Sequence, residues 1–142
     1  MMEDECYSVL KWDDADEKLK RILGLSVRNA LKKMDQTTLP IETLYPIPDW
    51  ENKSDSELFN IVQKNAKIEG FVYVITDISY IKDIGVFYVH IKDIYRFMKK
   101  YSFTYNECFF NGDVLFISEL NSSLSLFQHD GNLILYRLPL SF

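Results

Sequence analysis

Apolar and polar residues follow two different spacings along this chain. Up to about residue 69 the apolar positions recur every three or four residues, as they do on one face of a helix. From Gly70 onward they form short runs rich in β-branched and aromatic side chains, which are typical of strands. We therefore expect a helical N-terminal part followed by a sheet.

The first helix is predicted over residues 13–34. Asp13 and Asp14 are its candidate N-caps, because a short carboxylate accepts hydrogen bonds from the free N–H groups of a first turn. Acidic residues come first and basic residues follow, which matches the helix dipole. Gly24 lies in the middle of this helix, where it is less favourable than Ala by up to about 1 kcal/mol.

Two further helices are predicted from local signals. Ser54 followed by Glu57 forms a capping box, in which each side chain satisfies a backbone N–H of the other residue. This helix extends to about residue 66. The next helix covers residues 92–101 and is inserted between strands, with its apolar positions on one side.

Strands occupy most of the second half. Asn111-Gly112 and Asp130-Gly131 predict hairpins, because both positions of each pair tolerate positive φ. A further short edge strand is expected at residues 41–45. The main predicted strands span residues 71–76, 86–91, 107–110, 114–118, 124–128 and 132–138.

These elements predict an α+β fold in a single domain of residues 1–142. Strands joined by tight turns pair antiparallel. We expect a mainly antiparallel sheet of about five or six strands, with two N-terminal helices and one inserted helix packed on it. The run at residues 71–76 is apolar at every position but the last, so helices must cover at least one face of the sheet.

Composition disfavours several classes of function. The chain has 142 residues, a net charge of −5 and an isoelectric point near 5.0. Nucleic-acid binders normally carry a basic surface, so this charge favours a basic protein partner instead. Two cysteines, Cys6 and Cys108, are too few for a disulfide scaffold and fit a reducing compartment.

A cytoplasmic location is expected from the same sequence. The N-terminus is acidic, whereas a signal peptide needs a basic segment followed by an apolar one. No apolar stretch approaches the roughly 20 residues that span a membrane. The oligomeric state is left open by the sequence.

No motif predicts catalysis, a cofactor or a metal site. The five glycines are too far apart for a phosphate-binding loop, and neither HExxH nor GxSxG occurs. A Cys108–His129 nucleophilic pair is conceivable, but Cys108 as a small buried residue and His129 as a turn residue are preferred. His129-Asp130 lacks further metal ligands. Carboxylate pairs, Glu107 with Asp113 and Asp77 with Asp83, are expected to be solvated turn residues.

The aromatic residues of the C-terminal part have two interpretations. Stacking on nucleic-acid bases requires interleaved basic residues, yet Arg137 is the only basic residue after position 101. Packing in the core of a sheet is therefore favoured. The residues concerned are Phe109, Phe110, Phe116 and Phe127.

Two acidic segments are predicted to dock a partner. A Trp on a proline-stiffened loop loses little entropy on binding and is a typical interface anchor. The alternative for the acidic residues is a solvated face with helix capping. The predicted partner-binding residues are Asp13, Asp14, Glu17, Asp49, Trp50, Glu51 and Asp55.

Residues 70–137 resemble small bacterial immunity proteins of contact-dependent and polymorphic toxin systems. The resemblance lies in GFVYVITD at residues 70–77, IKDI at 91–94, YNECFFNGD at 105–113 and FQHDG at 127–131. It implies a small, acidic, cytoplasmic α+β protein that binds one cognate toxin and occludes its active or binding surface. It implies no catalytic residue.

Two other functions stay open. A secretion chaperone or adaptor for an effector would also be small, acidic and α+β, although such proteins usually dimerise through helices. A small enzyme with an unrecognised site would need a deep pocket that holds titratable groups with shifted pKa values.

Overall fold

Seven antiparallel strands form one sheet in the computed structural model, which describes residues 6–36 and 41–140. The spatial order is β1-β4-β3-β5-β6-β7-β2, so β1 and β2 are the edges. The strands are β1 (Ser8–Leu10), β2 (Thr43–Pro46), β3 (Phe71–Thr76), β4 (Val86–His90), β5 (Val114–Ser118), β6 (Ser123–Phe127) and β7 (Asn132–Arg137).

Helices cover both faces of this sheet, which confirms the α+β class. The described helices are α1 (Trp12–Leu23), α2 (Val27–Asp35), α3 (Asp55–Ala66), the short α4 (Asp77–Ile81) and α5 (Ile94–Tyr105). Short 3-10 turns occur at Trp50–Asn52 and Ile91–Asp93.

Each sheet face has its own apolar core. On the first, called the α1–α2 face, Leu19 and Met34 pack with Ile75 and Leu115. On the second, called the α3–α5 face, Phe59, Phe97 and Tyr101 pack with residues such as Val74, Phe87 and Phe116. Because side chains alternate along a strand, β3 sends residues into both cores, and this explains its continuous apolar run.

Several predicted elements are confirmed. The Ser54–Glu57 capping box begins α3, with hydrogen bonds in both directions. Asp130-Gly131 joins β6 to β7, and the predicted edge strand is β2. The four phenylalanines assigned to the core, Phe109, Phe110, Phe116 and Phe127, are all buried.

The single helix predicted over residues 13–34 is wrong. Gly24 has φ +87° and ends α1, so its left-handed backbone forms a C-cap instead of continuing the helix. Ser26 then caps α2 by accepting from Asn29 N, and Asp16 Oδ1 accepts from Val27 N at 3.1 Å. Asp13 and Asp14 lie in the first turn of α1, whose N-cap is Lys11.

The strand predicted at residues 107–110 and its Asn111-Gly112 hairpin are also wrong. Residues 106–113 form an irregular loop, and β5 pairs with β3 and β6 instead. Phe109 and Phe110 are consecutive residues, yet both are buried in the core of the α3–α5 face. A strand would point them to opposite faces. Conversely, β1 was not predicted, since three residues are too few to show an alternating pattern.

The buried hydroxyl of Ser125, on the α3–α5 face, allows a test of how an unsatisfied polar group affects stability. It is 1% exposed in β6, and its hydroxyl has no hydrogen-bond partner among the described residues. A buried unsatisfied hydroxyl is destabilising. We expect Ser125→Ala to leave the free energy of unfolding unchanged or to raise it by about 1 kcal/mol, as measured by urea denaturation.

Ser118 provides the matched control. It is equally buried in β5, but its hydroxyl bonds to Asn121 Oδ1 at 2.9 Å and accepts from Asn121 N at 3.3 Å. Ser118→Ala should therefore destabilise the protein by about 1 kcal/mol. A larger loss for Ser125→Ala than for Ser118→Ala would contradict the assignment.

Candidate functional site

The predicted partner-binding residues lie in two separate places. Asp13, Asp14 and Glu17 are exposed on α1, which covers the α1–α2 face. The other group surrounds the turn Trp50–Asn52, whose Trp packs against the core of the α3–α5 face. The two groups therefore lie on opposite faces of the sheet and do not form one compact surface.

Trp50 packs against the β6–β7 hairpin. Its ring contacts Phe127 edge-to-face, with centroids 5.6 Å apart. A β-carbon at Gly131 would lie 2.1 Å from Trp50 Cδ1, so the ring fills the space that Gly131 leaves. The half-buried indole thus holds the hairpin, and sequence analysis had no signal for this contact between residues so far apart.

Asp55 is also engaged within the fold. Its Oδ2 accepts from Phe109 N at 2.8 Å, and its Oδ1 accepts from Phe110 N at 3.2 Å. The Ser102 hydroxyl donates to Oδ2 at 3.4 Å. The carboxylate therefore fixes the loop at residues 106–113 to the first turn of α3. Asp49 and Glu51 remain exposed beside it.

A groove runs along the sheet end at which β3 finishes and β5 starts. It consists of two adjoining clefts of about 690 and 390 Å³, which share Leu31 and Tyr80. The floor of the second cleft is apolar and includes Leu115 and Leu126. We call this feature the acidic groove, after its carboxylates Asp13, Asp16, Asp35, Asp77, Asp83 and Asp113.

A stacked pair of rings lies in the first cleft. Trp12 and Tyr80 have centroids 4.7 Å apart at an interplanar angle of 25°. Trp12 Nε1 donates to the carbonyl of Ser79 at 3.1 Å, so the indole is fixed in orientation. Tyr80 is 45% exposed. The tryptophan of this groove is therefore Trp12, which sequence analysis had not selected.

Negative charge predominates in the acidic groove. Its six carboxylates face two cationic side chains, Arg28 and Lys32. Within residues 6–36 and 41–140, neither arginine nor lysine forms an ion pair with any of the six. This arrangement attracts cations and repels anions.

Three titratable side chains meet at one end of the groove. His129 donates its backbone N–H to Asp113 Oδ1 at 2.8 Å, and its Nδ1 lies 2.9 Å from the same oxygen. Asp77 approaches the same loop, and the backbone of Asp113 partly opposes the rise of its pKa. Gly112 permits this approach, because a β-carbon there would lie 2.1 Å from Asp77 Oδ2.

This cluster differs from the pairs considered in the sequence. The partner of His129 is Asp113, and no hydrogen bond joins it to Cys108 in the described part of the chain. Cys108 is exposed and Cys6 is buried, so the expectation of a buried Cys108 is wrong. No three His, Cys, Asp or Glu side chains among the described residues are arranged to hold a metal ion.

The cluster shifts the protonation of its members. Burial, followed by the charge of Asp113, raises the pKa of Asp77. The hydrogen bond to Asp113, followed by its charge, raises the pKa of His129. The imidazole is 75% exposed, so its contact with Asp113 lies at the protein surface. The cluster lies beside the turn between β6 and β7 and adds charge to this end of the groove.

Comparison with known proteins gives no match to this chain. No family model matches it, and neither a curated protein nor a solved structure is significantly similar. These results neither support nor refute the resemblance of residues 70–137 to immunity proteins. In the described ranges, no helix has both the length and the apolar character needed to cross a bilayer.

Asp55→Ala tests the structural role of this carboxylate. The change leaves the N–H groups of Phe109 and Phe110 without their acceptor, and we expect the free energy of unfolding to fall by about 3 kcal/mol. Chemical denaturation measures this loss. Glu51→Ala, on the adjacent exposed turn, should change stability by less than about 0.5 kcal/mol. Equal effects of the two changes would refute the assignment.

Asp77→Asn tests the environment of the cluster. Because the folded pKa of Asp77 is raised above its ordinary value of 3.8, ionisation opposes folding at neutral pH. Asn keeps the shape of the side chain and removes its charge. We expect the variant to be more stable than wild type at pH 7, with the gain declining as pH falls through the folded pKa.

Thermal unfolding between pH 3 and pH 7 measures this dependence. Below about pH 3.8 the folded and unfolded states both carry a protonated Asp77, so the gain should vanish there. Glu51→Gln serves as the exposed control and should show a smaller pH-dependent difference. A variant that is less stable than wild type at pH 7 would mean that the charge of Asp77 stabilises the fold.

Proposed function

We propose that this chain is a non-catalytic binding protein whose acidic groove takes a basic surface of a partner protein. More specifically, we propose that it is a cytoplasmic immunity protein whose partner is a cognate bacterial toxin. The observation that carries the proposal is the set of six groove carboxylates without ion-pair partners from lysine or arginine in the described chain.

Charge gives the groove its preference for a basic partner. Complementary charge speeds association and disfavours wrong partners. The net charge of −5 acts in the same direction over longer distances. Phosphate groups would be repelled by the same carboxylates, which argues against direct binding of nucleic acid.

Apolar and aromatic groups give the groove its contact area. Trp12 and Tyr80 form a preoriented pair of rings, and aromatic anchors contribute strongly to protein interfaces. The apolar floor provides surface that a partner can remove from water. A charged rim around an apolar floor is the usual composition of a specific interface.

Neutralisation would occur by occlusion. A toxin that acts on nucleic acid needs a basic surface for its substrate, and a carboxylate-lined groove competes for that surface. The resemblance of residues 70–137 to immunity proteins supports this choice of partner. Of the residues predicted from the sequence, Asp13 lines the groove, whereas Asp14 and Glu17 lie outside it on α1.

Co-expression with the toxin encoded beside this protein's gene tests the proposal. Wild-type protein should restore growth and form a complex in which the toxin is inactive. The double variant Asp13→Lys/Asp35→Lys reverses two exposed groove charges. We expect it to fold normally, to protect poorly and to associate with purified toxin at least about tenfold more slowly, by surface plasmon resonance at low salt.

Asp49→Lys/Glu51→Lys is the matched control, since it changes the net charge equally at two exposed residues that do not line the groove. Once the effect of its changed net charge is subtracted, this variant should associate with the toxin at the wild-type rate. If only this pair loses binding, the toxin contacts the Trp50 loop instead of the groove. A complex in which the toxin keeps full activity would refute neutralisation and favour a chaperone or adaptor.

A further inference from the structure

A cluster of aromatic side chains, from the buried Tyr73 to the exposed Phe71, lies at the other end of the α1–α2 face. Phe71 stacks on Tyr88, with centroids 4.8 Å apart and an interplanar angle of 8°. Tyr73 lies 4.7 Å from Tyr88, and His90 contacts Phe71 edge-on at 4.8 Å. We call these four residues the aromatic corner. Phe71 is 49% exposed, and the neighbouring Leu120 is 68% exposed.

The sheet holds these rings in place. Phe71 is directly opposite His90, and Tyr73 is directly opposite Tyr88, in the antiparallel pairing of β3 with β4. Cross-strand neighbours on one face have little freedom, because backbone hydrogen bonds fix their spacing. A ligand on this surface would therefore immobilise few side chains.

Glu119 follows β5 two residues after Ile117, which pairs with Tyr73 of β3, and this register brings residue 119 to the Phe71 end of β3. It is an exposed residue directly after β5. Burial, followed by the charge of Glu119, raises the pKa of Tyr88, and Glu119 also contributes to the raised pKa of Tyr73. Among the described residues, no lysine, arginine or histidine forms an ion pair with Glu119.

We propose that the aromatic corner binds an arginine or lysine side chain presented by a protein segment, with the cation over the exposed Phe71 ring and Glu119 as its counter-charge. Aromatic faces carry negative electrostatic potential and attract cations. A carboxylate next to exposed rings adds to this attraction and excludes anionic ligands. The site thus has both elements that recognition of a guanidinium or ammonium group requires.

The aromatic corner is separate from the acidic groove. Phe71 is the first residue of β3 and Thr76, which lines the groove, is the last, so the exposed ring and the groove's end of the strand are roughly 17 Å apart along β3. The proposal does not depend on the function of the groove. A basic partner that spans the sheet would meet one site at each end.

An NMR titration with the peptide acetyl-Gly-Arg-Gly-amide tests the proposal. We expect saturable shifts of the ring resonances of Phe71 and Tyr88. The same peptide with citrulline in place of arginine, which is nearly isosteric but uncharged, should cause no saturable shift. Equal shifts with both peptides would refute cation recognition, and the absence of shifts with either would refute the site.

Single substitutions test which side chains of the aromatic corner bind the peptide. Phe71→Leu and Glu119→Gln should each weaken peptide binding by about two- to fivefold. Phe103→Leu removes a ring that is 90% exposed on α5 and should have no effect. Glu119→Gln tests the proposal even if Phe71→Leu perturbs the fold, because Glu119 is exposed. Unchanged binding by the Glu119 variant would overturn the proposed counter-charge.

The groove variant Asp13→Lys/Asp35→Lys separates the two proposals. It should bind the peptide at the aromatic corner with unchanged ring shifts. Loss of these shifts would mean that the corner has no independent affinity and would overturn the further inference. Toxin neutralisation is a different measurement, so either proposal can fail alone.

Discussion

Burial of β3 and β5 on both faces is the constraint on which this architecture depends. Every residue of β5 and all but the first residue of β3 are buried, although side chains alternate between the two faces. Both faces therefore need apolar cover, which α1 and α2 supply on one side and α3 and α5 on the other. The two candidate binding sites, the acidic groove and the aromatic corner, therefore lie at the ends of the strands.

The capping box and the β6–β7 turn were predicted from the sequence because each depends only on residues that are close together in the chain. The capping box needs only Ser54 and Glu57, and the β6–β7 turn needs only Asp130-Gly131, so both were predicted. Gly24 was misjudged because its role depends on the return of α2 to the same sheet face. The loop at residues 106–113 was misjudged because Asp55, about fifty residues earlier, takes the backbone N–H groups that a hairpin would have used.

The candidate site was less predictable than the fold, since exposure is a tertiary property. Asp13, selected from the sequence, lines the groove, and Trp50 was selected for the stiffness of its loop. The Trp50 ring fills space next to Gly131, and no local pattern encodes a contact across 81 positions. Trp12 had no comparable signal, because its partner Tyr80 belongs to a short helix after β3.

The hydrogen bonds of Asp55 connect α3 to the loop that carries the acidic end of the groove. On the α3–α5 side they hold the backbone at Phe109 and Phe110, and Gly112 and Asp113 follow directly in the chain. Those two residues position Asp77 and His129 at the end of the groove. The acidic end of a groove on the α1–α2 face thus depends, through one short loop, on a carboxylate at the N-terminus of a helix that packs on the other face.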